Sequence, residues 1–190
     1  GETFEDGQPR PPIAEHAPID PEEIARAVAA AESSDYVVAV VGDQIEVVGE
    51  ALSTATLELM GGQVALLEAL EATGKPLIVV LMASKPMELH AAARNADAQI
   101  WAASPGMQGG KAIAEILLGK TNPSGRLPIS FPVHVGQQPT YYNQVRGQHG
   151  HRYADLTQIP AFAFGYGLSF SDVSYEDARL EQDSLSLDDT

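Results

Sequence analysis

Asp43, Glu46 and Glu50 follow one another closely in "VVGDQIEVVGEALSTATLELMGGQ", directly behind an apolar run. Acidic side chains on a loop are solvated by default. A carboxylate held close to a reacting bond can instead donate and recover a proton. Which description applies depends on the elements that carry the stretch.

Those elements read clearly on either side. "PIDPEEIARAVAAAESSD" is a helix, with Asp20 as N-cap, Pro21 at its first position and Glu22 and Glu23 at the positive end of the dipole. "YVVAVVG" from Tyr36 is apolar on both faces, which predicts a fully buried strand. The unit then repeats: "GGQVALLEALEATG" is a helix ending at Gly74, and "KPLIVVLMAS" is a second buried strand. "MELHAAARNAD" reads as helical, "AQIWAAS" as a third strand and "GGKAIAEILLGK" as another helix. "NPSGRLPISFP" reads as a turn with a short strand. Helix and strand alternating over residues 21 to 118 predict a three-layer α/β sandwich. Its sheet is mostly parallel, with helices on both faces and right-handed crossovers. Beyond about residue 131 the chain turns to glycine, proline and aromatic residues, a long irregular tail expected to be functional or tied to the domain surface.

In such a sheet, ligands bind beyond the carboxyl ends of the strands. The acidic stretch is the first loop on that edge, "SKP" at 84–86 the second and "SPGMQGG" at 104–110 the third.

The composition narrows the partners. Among 190 residues, 26 acidic against 11 basic side chains give a formal charge of −15, which repels nucleic acid and anionic membrane surfaces. No apolar run approaches the roughly 20 residues of a membrane helix. The absence of cysteine excludes disulfides and thiol chemistry and leaves the redox compartment open. The location is left unknown, with a periplasmic or secreted protein favoured. Gly1 at the start and the interrupted alternation of "DARLEQDSLSLDDT" suggest neighbouring segments at both ends.

Several chemistries lack their residues. "VGDQIEVVGE" has no dinucleotide glycine fingerprint, and "GMQGGK" has neither phosphate-loop spacing nor a hydroxyl residue at Ala112. His149 and His151 form a lone H-x-H without a third ligand at recognisable spacing, so no metal is expected. No G-x-S-x-G elbow is present. Cofactors are therefore expected to be none. Trp101, inside "IWAAS", reads as core, and Lys85 and Arg94 read as solvated surface.

The strings "YVVAVVGD", "GEALSTATLELMGGQVALLEAL", "TGKPLIVVLMASKPMEL", "SPGMQGGKAIAEILLGKTNPSGRLPISFP", "GQQPTYYN" and "RYADLTQIPAFAFGYGLSFSDVSY" occur in this order over about residues 25 to 175. In order and spacing the chain resembles the second domain of glycoside hydrolase family 3, which includes β-glucosidases and β-xylosidases. The resemblance implies a retaining mechanism on terminal non-reducing β-D-glucosyl or xylosyl residues. An aspartate nucleophile on a preceding (β/α)8 barrel works with a glutamate acid/base on a loop of the sandwich. That glutamate opens a stretch that runs here from Glu50 and Ala51 to Leu57, Leu59, Gly61 and Gln63, making Glu50 the first candidate and Glu46 the second. Ser53 and Thr54 stand where Asp-Arg is common, Met60 replaces a proline, Gln108 a frequent glutamate and Lys85 a frequent arginine.

The same resemblance divides the chain into a linker from a barrel (1–20), the α/β sandwich (21–170) and a linker or truncated start of a fibronectin type III-like domain (171–190). The expected partners are a β-glycoside or oligosaccharide and the barrel, with no nucleic acid and no membrane. Without the nucleophile, the chain alone is expected to be inactive. A non-catalytic domain that docks on the barrel and shapes the aglycone site is the alternative.

Overall fold

In the computed structural model, residues 15–50, 52–143, 153–179 and 184 are described. Helix α1 (Pro21–Glu32) starts where its cap dictates: the Asp20 carboxylate accepts from the backbone N–H of Glu22 and Glu23 at 2.9 and 3.2 Å. Strand β1 (Val37–Gly42) follows, then helix α2 (Gln63–Glu71), strand β2 (Leu77–Met82), the one-turn helix α3 (Ala91–Arg94), strand β3 (Ala98–Trp101) and helix α4 (Gly109–Leu117).

The three strands form a parallel sheet in the order β1-β2-β3, with Val37 opposite Leu77 and Ile78 opposite Ala98. The fold is thus the α/β sandwich expected from the alternation. Its core lies where α1 and α2 pack over the sheet: Val37, Ala39 and Val41 of β1 join Leu77, Val79 and Leu81 of β2, with Leu67 and Leu70 of α2 above them. The central strand is buried on both faces, Val80 being fully covered from the side opposite Val79.

Two elements differ from the sequence reading. Strand β1 is buried on one face only, since Val38 and Val40 are 46% and 59% exposed. It is an edge strand among the described residues, so its apolar composition does not translate into two covered faces. The helix read in "MELHAAARNAD" shrinks to α3, because Glu88 leaves the helical path to bridge Glu58, its N–H donating to the Leu57 carbonyl at 2.7 Å.

Among the described residues, the irregular tail is tied down. Leu127 and Phe131 exchange backbone hydrogen bonds with Gly165, Tyr166 and Phe162, an antiparallel stitch in place of the expected short strand. Phe131, 2% exposed, meets Trp101 and Phe162 edge to face at ring-centre distances of 5.2 and 6.4 Å. Trp101 is partly buried and packs against the core, its indole N–H donating to the Ala83 carbonyl at 2.7 Å. Residues 171–179 carry no regular element, and no helix among the described residues is long and apolar enough to cross a membrane.

Leu67, fully buried in α2, is the test of this core. Leu67→Ala is expected to cost about 2–5 kcal/mol of folding stability. Leu118→Ala, at a position 70% exposed, should cost less than about 0.5 kcal/mol, both read from urea unfolding.

Candidate active site

The loop joining β1 to α2 carries all three acidic candidates, and its two ends are fastened together. The Gln63 side chain accepts from the Gly42 N–H at 2.7 Å and donates to the Gly42 carbonyl at 2.9 Å, pairing with the free edge of β1 as a strand residue would. The same amide nitrogen donates to the Met60 carbonyl at 2.9 Å. At Gly42 only hydrogen fits: a Cβ would stand 1.9 Å from the Met82 carbonyl oxygen of the next strand. Gly61, at φ +67°, turns the returning chain into the helix, and a Cβ there would approach the Ala17 carbonyl to 3.1 Å. Residues 16–19 therefore run across the base of the loop, where His16 also reaches Gln44 at 3.3 Å.

Between these ends the loop is stitched at intervals. Ile45–Val47 form a single 3₁₀ turn, with Val47 buried as its apolar anchor. Leu52 donates back to the Gly49 carbonyl at 3.1 Å, closing a tight turn around Glu50. Leu59 plugs into the core on the return, beside the bridge between Glu58 and Glu88. Glu88 itself is engaged elsewhere, accepting from the Val135 N–H at 3.0 Å.

The three carboxylates end in different surroundings. Glu46 and Glu50 are exposed, Glu50 on the turn at the loop's outer side. Asp43 is the opposite: its N–H continues the ladder to the Met82 carbonyl at 3.0 Å, and its side chain is 4% exposed. The Lys85 ammonium, on the neighbouring loop after β2, stands 3.2 Å from Asp43 Oδ1. That approach is within ion-pair range but lacks hydrogen-bond alignment, and neither Asp43 oxygen accepts a hydrogen bond from the described residues. The attraction is thus Coulombic, between two charges largely withdrawn from water. Neither is the solvated loop residue that its place in the sequence predicts, the Asp43 side chain being 4% and the Lys85 side chain 23% exposed. Sequence separation hides the pairing, since nothing in either string announces a partner 42 positions away.

A cleft of about 200 Å³ opens beside this pair, with Ser84 and Lys85 on one wall and Val48, Gly49, Leu52 and Ser53 on the other. The second wall consists of the residues that flank Glu50. A separate recess of about 170 Å³ is lined by Glu58, Glu88 and His90. Arg94 is exposed on α3, and Gln108 is exposed ahead of α4. His149 and His151 lie outside the described residues.

Fold and site together define an α/β sandwich domain with an acidic loop presented at the carboxyl edge of a parallel sheet. Residues 5–170 match the glycosyl hydrolase family 3 C-terminal domain. The chain belongs to that family. It is 40% identical over 175 residues to a periplasmic β-glucosidase of Salmonella typhimurium, covering 87% of this chain and 23% of the relative. It is 38% identical over 169 residues to a β-xylosidase of Formosa agariphila, covering 86% and 23%. Among solved structures, a β-glucosidase involved in saponin metabolism from intestinal bacteria superposes with a TM-score of 0.79 at 56% identity, over 90% of this chain and 25% of that one. A Listeria innocua β-glucosidase in complex with glucose gives 0.78 at 34% identity, over 84% and 24%. The chain thus spans about a quarter of the length of these relatives.

The Gln63 clasp makes a direct prediction. Gln63→Leu keeps the bulk but strands the Gly42 N–H and carbonyl, and should cost about 1–3 kcal/mol of stability. Hydrogen exchange at the Gly42 amide should accelerate in step, and unchanged protection there would show that another group closes the loop.

Proposed function

We propose that this chain is the acid/base-bearing domain of a retaining exo-β-glycosidase acting on terminal non-reducing β-D-glucosyl or xylosyl residues. The observation that carries the reading is the placement of Glu50. It stands on a stitched turn of a loop closed by Gln63, at the sheet edge where open α/β domains meet their ligands, in a domain of family 3. Glu50 then protonates the departing glycosidic oxygen and afterwards deprotonates the attacking water. An aspartate on a (β/α)8 barrel forms the glycosyl-enzyme intermediate. A pair doing this chemistry needs its carboxyl groups about 5–5.5 Å apart. Glu50 is exposed in this chain, so the apolar surroundings that favour a protonated donor come from the barrel face closing over the loop. On this reading the chain alone has negligible glycosidase activity and recovers it on association with the barrel. Glu46, exposed four residues earlier, is the second candidate.

The segment 171–190 is read as the start of a fibronectin type III-like domain, and residues 1–20 as the connection from the barrel. The periplasmic relative supports a periplasmic or secreted location. The exposure of Glu50 also favours a second reading, in which the domain only docks on the barrel and shapes the aglycone end of the site.

Glu50→Ala in the complete enzyme separates the two. A general acid contributes about 10²–10⁴-fold, so kcat/KM on alkyl glycosides should fall by that order. On dinitrophenyl glycosides, whose leaving group needs no proton, kcat/KM should change little, and azide should restore part of the turnover. Near-normal hydrolysis of alkyl glycosides by the variant sinks the acid/base assignment and leaves the docking role.

A further inference from the structure

The Asp43–Lys85 pair is a costly feature with no place yet in the proposed chemistry. Asp43 is almost wholly buried, its oxygens accept no hydrogen bond from the described residues, and one ammonium at 3.2 Å is the compensation it has. Burying such a pair yields little net stability compared with apolar packing, whereas removing one partner leaves an uncompensated charge. Its position suggests what it does. Asp43 is the first residue beyond β1, and Lys85 follows the end of β2, so the pair ties together the carboxyl ends of two adjacent strands. Lys85 then forms one wall of the cleft whose other wall is Val48, Gly49, Leu52 and Ser53. These residues bracket Glu50 on both sides, although Glu50 itself faces solvent.

We propose that Lys85, anchored by Asp43, is a positioning residue for the Glu50 turn. Its side chain supports the underside of residues 47–49 and 52–54 and sets the height at which Glu50 stands above the sheet edge. The pair touches no reacting atom in this scheme. It acts by fixing the loop, and a displacement of about 1 Å at a reacting group can cost on the order of 10²-fold in rate. The inference rests on the acid/base role of Glu50 proposed above.

The test uses the complete enzyme in three variants, Lys85→Met, Lys85→Arg and Asp43→Asn, measured beside Glu50→Ala. If Lys85 positions the proton donor, Lys85→Met should lose about 10- to 100-fold in kcat/KM on alkyl glycosides. It should lose much less on dinitrophenyl glycosides, which also report the fraction of enzyme correctly folded. Lys85→Arg, which keeps a cation at this site, should restore most of the alkyl-glycoside rate. Asp43→Asn keeps the shape but releases the ammonium, so it should show the same selective loss and carries the test if Lys85→Met does not fold. Equal losses on both substrate classes would mean the pair only stabilises the fold, and no loss on either would mean the loop holds itself. Both outcomes overturn the proposal while leaving Glu50 standing. Unimpaired alkyl-glycoside turnover in Glu50→Ala would remove the acid/base reading and the positioning role with it.

Discussion

The geometry of the candidate site depends first on one side-chain amide. Gln63 closes a loop of some twenty residues by pairing with both backbone groups of Gly42. A flexible loop of that length pays an entropic closure cost that grows only slowly with length, so modest interactions at its neck suffice to hold it. What the neck cannot do is hold the tip. That work falls to the intervals along the loop: the buried Val47, the turn between Gly49 and Leu52, and Leu59 in the core. Gly42 and Gly61 are the backbone conditions for the clasp, one because a strand carbonyl passes too close for any side chain, the other because the chain must turn left-handed.

The parallel sheet makes this arrangement possible. Every strand of such a sheet delivers its carboxyl end to the same edge, so residues distant in sequence become neighbours there. Asp43 after β1 and Lys85 after β2 meet for this reason alone. The opposite edge shows the same logic used for stability. Lys75 caps the Ser34 carbonyl at 2.8 Å, and the Asp97 carboxylate accepts from the Leu77 N–H at 2.9 Å, fixing the starts of the strands. Both edges are thus fastened by contacts within the protein, and the carboxyl edge in addition presents Glu46 and Glu50 toward solvent.

Much of the framework was legible in the sequence because local signals agreed with the fold. Asp20-Pro21 caps α1, Gly74 ends the turn after α2, and the apolar runs became β1, β2 and β3. The exceptions have physical causes. Val38 and Val40 look like core in the string, yet composition records what a strand can bury and not what is present to cover it. Residues 87–90 have helix-forming composition, but the backbone of Glu88 pairs with Leu57 and tertiary contact overrides that local preference. The motif from Glu50 to Gln63 was visible through the family resemblance. Its mechanical content, that the glutamine is a clasp, was not, because a side chain bonding to a strand edge leaves no periodicity. The Asp43–Lys85 pair was hidden for the same reason, and read as separate surface residues each looked ordinary.

Asp43 and Glu50 sit in opposite surroundings. The domain is able to bury a carboxylate, and it buries Asp43 against a lysine. It leaves Glu50 in water. A proton donor needs the reverse, low polarity around the acid and no permanent cation beside it, since a cation favours the ionised form. The fold therefore places its positive charge beside the carboxylate that braces the loop. The carboxylate proposed for catalysis is left to acquire its surroundings from the surface that closes over it. On the proposed reading, the sandwich supplies position and the barrel supplies environment, and proton transfer would be confined to the assembled site.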